Sequence, residues 1–178
     1  MNAKKKDLTV LNFTAIEYNL LDPKEFVEEL APRVSDGHAL DVLIDLVQAG
    51  TIVIGDPEVL MNWTYKAVVV EGLDPKVVKE ISGKKTPVVT MSLAEFEALS
   101  PKHMGNFFRW YTTPSRAAKI LLEIIKTQGY LPSAEKVVQL TNGRVAVAGV
   151  ERPKQNKKAP ASILLKGVTI NNGDALNA

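Results

Sequence analysis

Helix starts punctuate this chain. Asp22-Pro23, Asp56-Pro57, Asp74-Pro75 and Thr113-Pro114 each place a side-chain acceptor immediately before a proline. The Asp or Thr oxygen can accept from an orphan amide of the first turn, and proline's fixed φ and missing N–H suit the first helical position. Ser92 with Glu95, and Asp22 with Glu25, add the three-residue spacing of a capping box. A chain so marked must be built from many short helices, and its remaining runs must pack among them.

Those runs are short and rich in β-branched residues. Residues 7–21 read as a strand, with Val10, Asn12 and Thr14 on one side and Leu11, Phe13 and Ala15 on the other. Residues 51–55 read as a buried strand, and 64–72 and 86–91 as further strands. Leu40, Leu43, Ile44 and Val47 follow helical spacing, with Gly50 as the stop. Residues 101–111, 114–129 and 133–140 read as a run of helices. Asn142-Gly143 is a hairpin signal, with residues 144–150 as the strand that follows.

The order of elements predicts an α+β fold with a mixed sheet. An acidic α/β part comes first, a basic helical part spans about 101–140, and strands and an extended arm follow. Three regions result: a basic tail over 1–6, one α+β domain over 7–150 with a sub-boundary near 100, and a basic linker and C-terminal arm over 151–178. Residues 151–161 have linker composition, residues 162–170 read as a last strand, and the final eight residues form a polar tail.

Charge is divided unevenly along the 178 residues. Residues 7–100 hold 7 Lys/Arg against 16 Asp/Glu, whereas residues 101–160 hold 11 against 3. The net charge of +2 conceals this split. Such asymmetry suits a polyanion partner, head-to-tail meeting of copies, or neutralisation within one fold.

Several function classes find no support. The chain has no cysteine, which removes disulfides, thiolate metal sites and cysteine nucleophiles. His38 and His103 are the only histidines, and neither has a ligand-spaced partner; His38 has only Asp36 and Asp41 nearby. No G-x-S-x-G elbow or phosphate loop occurs. The expectation is therefore no enzyme, no cofactor and no metal. The basic start has no apolar segment behind it, so secretion by a signal peptide is not expected. The apolar runs are too short to cross a membrane.

Residues 106–129 concentrate the binding signals. Phe107, Phe108, Trp110 and Tyr111 surround Arg109, and the helix that follows buries Ala118, Leu121, Leu122 and Ile125. Arg116, Lys119, Glu123 and Lys126 fall on its opposite side. Aromatic rings beside cations suit single-stranded nucleic acid, although such rings more often belong to a core. The expectation here is aromatics largely buried. The candidate interaction residues are Arg109, Trp110, Arg116, Lys119 and Lys126, joined by Arg152, Lys154, Lys157 and Lys158 of the linker.

Two segments resemble parts of winged-helix DNA-binding domains. Residues 39–57, a leucine-patterned helix followed by Ala-Gly, a strand and a polar turn, are similar to the recognition helix and wing strand. Residues 117–140 are similar to the first two helices of such a module. The resemblance implies a degenerate winged-helix element in a DNA- or RNA-binding regulator.

The leading expectation is a non-enzymatic structural or interaction protein. It would self-associate through complementary faces and terminal arms, as a component of a larger particle such as a viral capsid or tail. The partners expected are copies of itself or other protein subunits, with nucleic acid as the alternative and no membrane. The expected setting is the cytoplasm, or a virion assembled there.

Overall fold

A computed structural model describes residues 9–64, 67–83 and 88–153. Helix makes up 58% of the structure and each described strand is only three residues long, so the class is α+β with helices enclosing the core.

The capping chemistry sets the helices. The first helix, α1, is Ala15–Asn19; Asp22 then accepts from the Lys24 and Glu25 amides and opens α2, Pro23–Leu30. A 3-10 turn over Ala31–Arg33 leads to α3, Asp36–Gln48. Then come α4 (Pro57–Trp63, capped by Asp56), α5 (Pro75–Ser82) and α6 (Leu93–Glu97). The last three are α7 (Pro101–Tyr111), α8 (Pro114–Gln128) and α9 (Ala134–Leu140). The four pairs Asp22-Pro23, Asp56-Pro57, Asp74-Pro75 and Thr113-Pro114 each mark a helix start.

The α1 helix corrects the sequence reading, which extended a strand to residue 21. Thr14 and Glu17 form a full capping box: the Glu17 amide donates to Thr14 Oγ1 at 3.2 Å and the Thr14 amide donates to Glu17 Oε2 at 2.7 Å. This local pair outweighs the β-branched composition and ends the strand β1 at Leu11–Phe13. Residues 51–55 are a second correction. They alternate in burial but form no strand.

The sheet differs from the mixed one expected. The described strands form two separate parallel pairs. In one, β1 lies beside β4 (Val145–Val147) with Leu11 opposite Val145. In the other, β2 (Val68–Val70) lies beside β3 (Val89–Met91) with Val68 opposite Val89. The β1–β4 pair spans almost the whole described chain, which no local pattern could reveal. Asn142-Gly143 is correspondingly not a hairpin turn. Both residues have positive φ (52° and 77°) and carry the chain from α9 into β4. Buried Thr141 assists: its Oγ1 donates to the Val137 carbonyl at 3.0 Å and accepts from the Val145 amide at 3.2 Å.

One hydrophobic cluster runs from Tyr18 to Val147 and draws on both sides of residue 100. The amphipathic helix α3 is its centre, buried along Ala39, Leu43, Ile44 and Val47 and packed against α7, α8 and α9. Gly105 allows α7 to approach closely, since a Cβ there would stand 2.3 Å from Gln48 Cγ. Among the described residues no helix is long and apolar enough to cross a membrane.

Candidate interaction surface

The surface of interest is the corner between α7 and α8. Ser100 caps α7, accepting from the His103 amide at 3.3 Å. The helix then buries Met104, Gly105 and Phe108. Phe107 and Tyr111 are half-buried and stack on each other, with centroids 5.6 Å apart and planes 26° apart. Arg109 and Trp110 fall on the outer side, and Trp110 is 70% exposed. The expectation of largely buried aromatics is thus corrected at one position. Helical geometry leaves Trp110 on the face opposite Phe108, so only one of the two can be in the core.

Thr112 and Thr113 turn the corner. Thr112 is buried and its hydroxyl donates to the Trp63 carbonyl at 3.4 Å, while Thr113 caps α8 by accepting from the Arg116 amide at 3.4 Å. Along α8, Ala117, Ala118, Ile120, Leu121, Ile124 and Ile125 are buried, and Gly129, at φ 65°, closes the helix. Leu122, expected in the buried stripe, is half-buried. Lys119, Glu123 and Lys126 are exposed and Arg116 is half-buried. Their spacing puts all four on one stripe.

Arg152 is exposed, and its side chain lies over Gly143. Lys154, Lys157 and Lys158 lie outside the described residues, as do the last strand and most of the linker.

Among the described residues, two contacts between polar side chains join α3 of the acidic half to the basic half. Ser115 Oγ donates to Asp36 Oδ2 at 2.6 Å, joining the starts of α8 and α3. Lys136 Nζ lies 2.7 Å from Asp45 Oδ2, joining α9 to α3. The other ion pair among the described residues, Arg33 with Glu29 at 3.4 Å, lies within the acidic half. Arg109, Arg116, Lys119 and Lys126 form no ion pair there, and neither do Glu25, Glu28 and Asp41. Among the described residues the two halves are thus joined mainly by the shared apolar core and the β1–β4 pairing, with one ion pair between them.

No group of three or more His, Asp or Glu side chains converges as a metal site among the described residues. His38 and Asp41 are exposed and share a cavity of about 150 Å³ with Val42, Asp45, Gln139 and Pro153. A larger apolar cavity of about 250 Å³, lined by Val47, Ile52, Ile54, Phe96, Leu99 and Met104 among others, escaped the sequence reading. Its signal was present in Ile52-Val53-Ile54, whose alternation leaves Val53 79% exposed.

Comparison with known protein families, with curated proteins and with solved structures found no match. The two winged-helix-like segments also diverge from that pattern in space. No wing strand follows α3, and α9 leads into β4, which pairs in parallel with β1 instead of forming a hairpin.

Proposed function

We propose that the chain is a non-enzymatic assembly or interaction protein that joins copies of itself, or other subunits, through complementary charged faces. The observation that carries this reading is the unpaired charge. Among the described residues, the basic stripe of Arg116, Lys119 and Lys126 and the acidic Glu25, Glu28 and Asp41 form no ion pair. Unpaired faces of opposite sign steer association between molecules and fix its register. A subunit of a larger particle, such as a capsid or tail, would use them in this way. On this reading the protein works in the cytoplasm, or in a virion assembled there.

Sedimentation at low and high ionic strength tests it. Association at low salt should weaken as the Debye length shrinks to about 3 Å near 1 M salt. Arg116→Glu with Lys119→Glu should abolish it in a folded chain. A monomer at every salt concentration would overturn the proposal.

A second reading is supported by Trp110. An exposed indole beside Arg109 offers a face for stacking and a cation for phosphate, the combination that single-stranded nucleic acid uses. On this reading an oligonucleotide binds with a steep salt slope and loses affinity on Trp110→Ala. Binding unchanged by Trp110→Ala and Arg109→Ala together would eliminate it.

A further inference from the structure

Trp110 is the one exposed aromatic side chain among the described residues, 70% open to solvent, with exposed Arg109 beside it. Trp and Arg are the side chains that most often anchor protein–protein contacts, and they do so by filling pockets on the partner.

A pocket of that kind lies elsewhere on the same chain. Val47, Ile52, Ile54, Phe96 and Met104 wall the apolar cavity of about 250 Å³, and all five are buried. Val53, 79% exposed, and exposed Glu97 also line it and mark its rim. A dry apolar cavity of about 150 Å³ takes a benzene ring, so this one has room for the two fused rings of an indole. Among the described residues, the backbone groups of Val53, Ile54 and Gly55 make no hydrogen bond, which leaves carbonyls here to accept from an indole N–H.

Trp110 cannot reach the cavity of its own chain. Met104 and Trp110 share α7, and six residues set them about 9 Å apart along the axis and about 120° apart around it. Charge favours a second copy as the donor of the ring. Arg109 beside the indole and Glu97 at the cavity rim form no ion pair among the described residues. Seating the indole of one copy in the cavity of another brings that cation toward that carboxylate.

We propose that Trp110 of one copy inserts into the apolar cavity of the next, with Arg109 against the next copy's Glu97. Ring and cavity are different surfaces, so the contact is heterologous and extends head to tail into a chain or a closed ring. One indole buries about 150–250 Å², well short of the roughly 1,200–2,000 Å² of a stable interface. The inference therefore rests on the charged-face reading above: the charged faces supply the remaining area, and the indole is the anchor that sets the register.

Sedimentation of the full-length chain over a concentration series tests it, with circular dichroism to check that each variant is folded. Trp110→Ala, at an exposed position, should weaken association at least about tenfold. Arg109→Glu alone and Glu97→Arg alone should each weaken it, because each sets like charges face to face, and the two together in one chain should restore it. Association unchanged by Trp110→Ala, or a charge-swapped chain no better than either single variant, would overturn this inference and leave the charged-face reading standing. A chain that is monomeric at every concentration and salt would overturn both. A monomer that uses Trp110 only to bind an oligonucleotide would overturn the proposal in favour of nucleic acid.

Discussion

Lys136 Nζ lies 2.7 Å from Asp45 Oδ2, and this is the one ion pair among the described residues that joins the basic and acidic halves. Both side chains remain substantially in contact with solvent, 30% and 54% exposed. A pair of this kind contributes roughly 0.2–1 kcal/mol. A double-mutant cycle of Lys136→Gln and Asp45→Asn should therefore return a coupling of about that size, shrinking toward zero at high salt. A much larger coupling would mean that the halves are held electrostatically.

Gly105 offers a sharper probe of the α3–α7 contact. A Cβ at this position would stand 2.3 Å from Gln48 Cγ, which the packed helices cannot accept without a shift. Gly105→Ala should destabilise the protein by about 1–3 kcal/mol despite alanine's better helix propensity. Adding Gln48→Ala removes the obstructing side chain and should recover most of the loss. Denaturant titrations of the two variants test this, and an unperturbed single mutant would show that α7 stands further off.

Tyr18 ties the first helix to the far end of the core. Its hydroxyl donates to the Pro132 carbonyl, and its ring meets Phe26 edge-on at 6.2 Å. Tyr18→Phe keeps the ring contact and strands the carbonyl, so a loss of about 1–2 kcal/mol is expected. Burial, with the neighbouring Tyr130 adding to it, pushes the Tyr18 phenol well above its ordinary range. The folded state thus holds the proton more tightly than the unfolded state does. The stability this gives is complete below about pH 10, the ordinary phenol value, and is lost as the pH rises beyond it. Alkaline unfolding should accordingly shift in Tyr18→Phe.

The two capping boxes respond at the other end of the pH scale. Hydrogen bonds from the Thr14 backbone and hydroxyl hold Glu17 below the usual carboxylate value, and those of Ser92 do the same for Glu95. A depressed pKa means that this contribution is present above the unfolded value and disappears as the pH falls through the folded one. Glu17→Gln with Glu95→Gln should flatten the acid limb of the stability curve, measured by thermal unfolding from pH 6 down to pH 3. An unchanged acid limb would argue against both boxes.

What the sequence determined by itself is local chemistry. Asp22, Asp56, Ser92 and Thr113 announced their helices because a cap needs only residues within one turn. The spacing of Leu43, Ile44 and Val47 marked the buried side of α3 for the same reason, as did Ala118, Leu121 and Ile125 for α8. Thr14-Glu17 carried an equally local signal that β-branched composition obscured. Tertiary structure decided the remainder. Whether 51–55 is a strand depends on a partner, and the partner of β4 is β1, more than a hundred residues away. Whether Trp110 is core or surface depends on which side of α7 meets α3, and Phe108 occupies that side. Whether the charge split neutralises itself depends on distances between helices, and at the α3–α9 junction only Lys136 and Asp45 come close enough to pair. Caps and amphipathic stripes act over a few residues, whereas pairing, exposure and charge compensation are set by contacts that exist only once the chain has closed on itself.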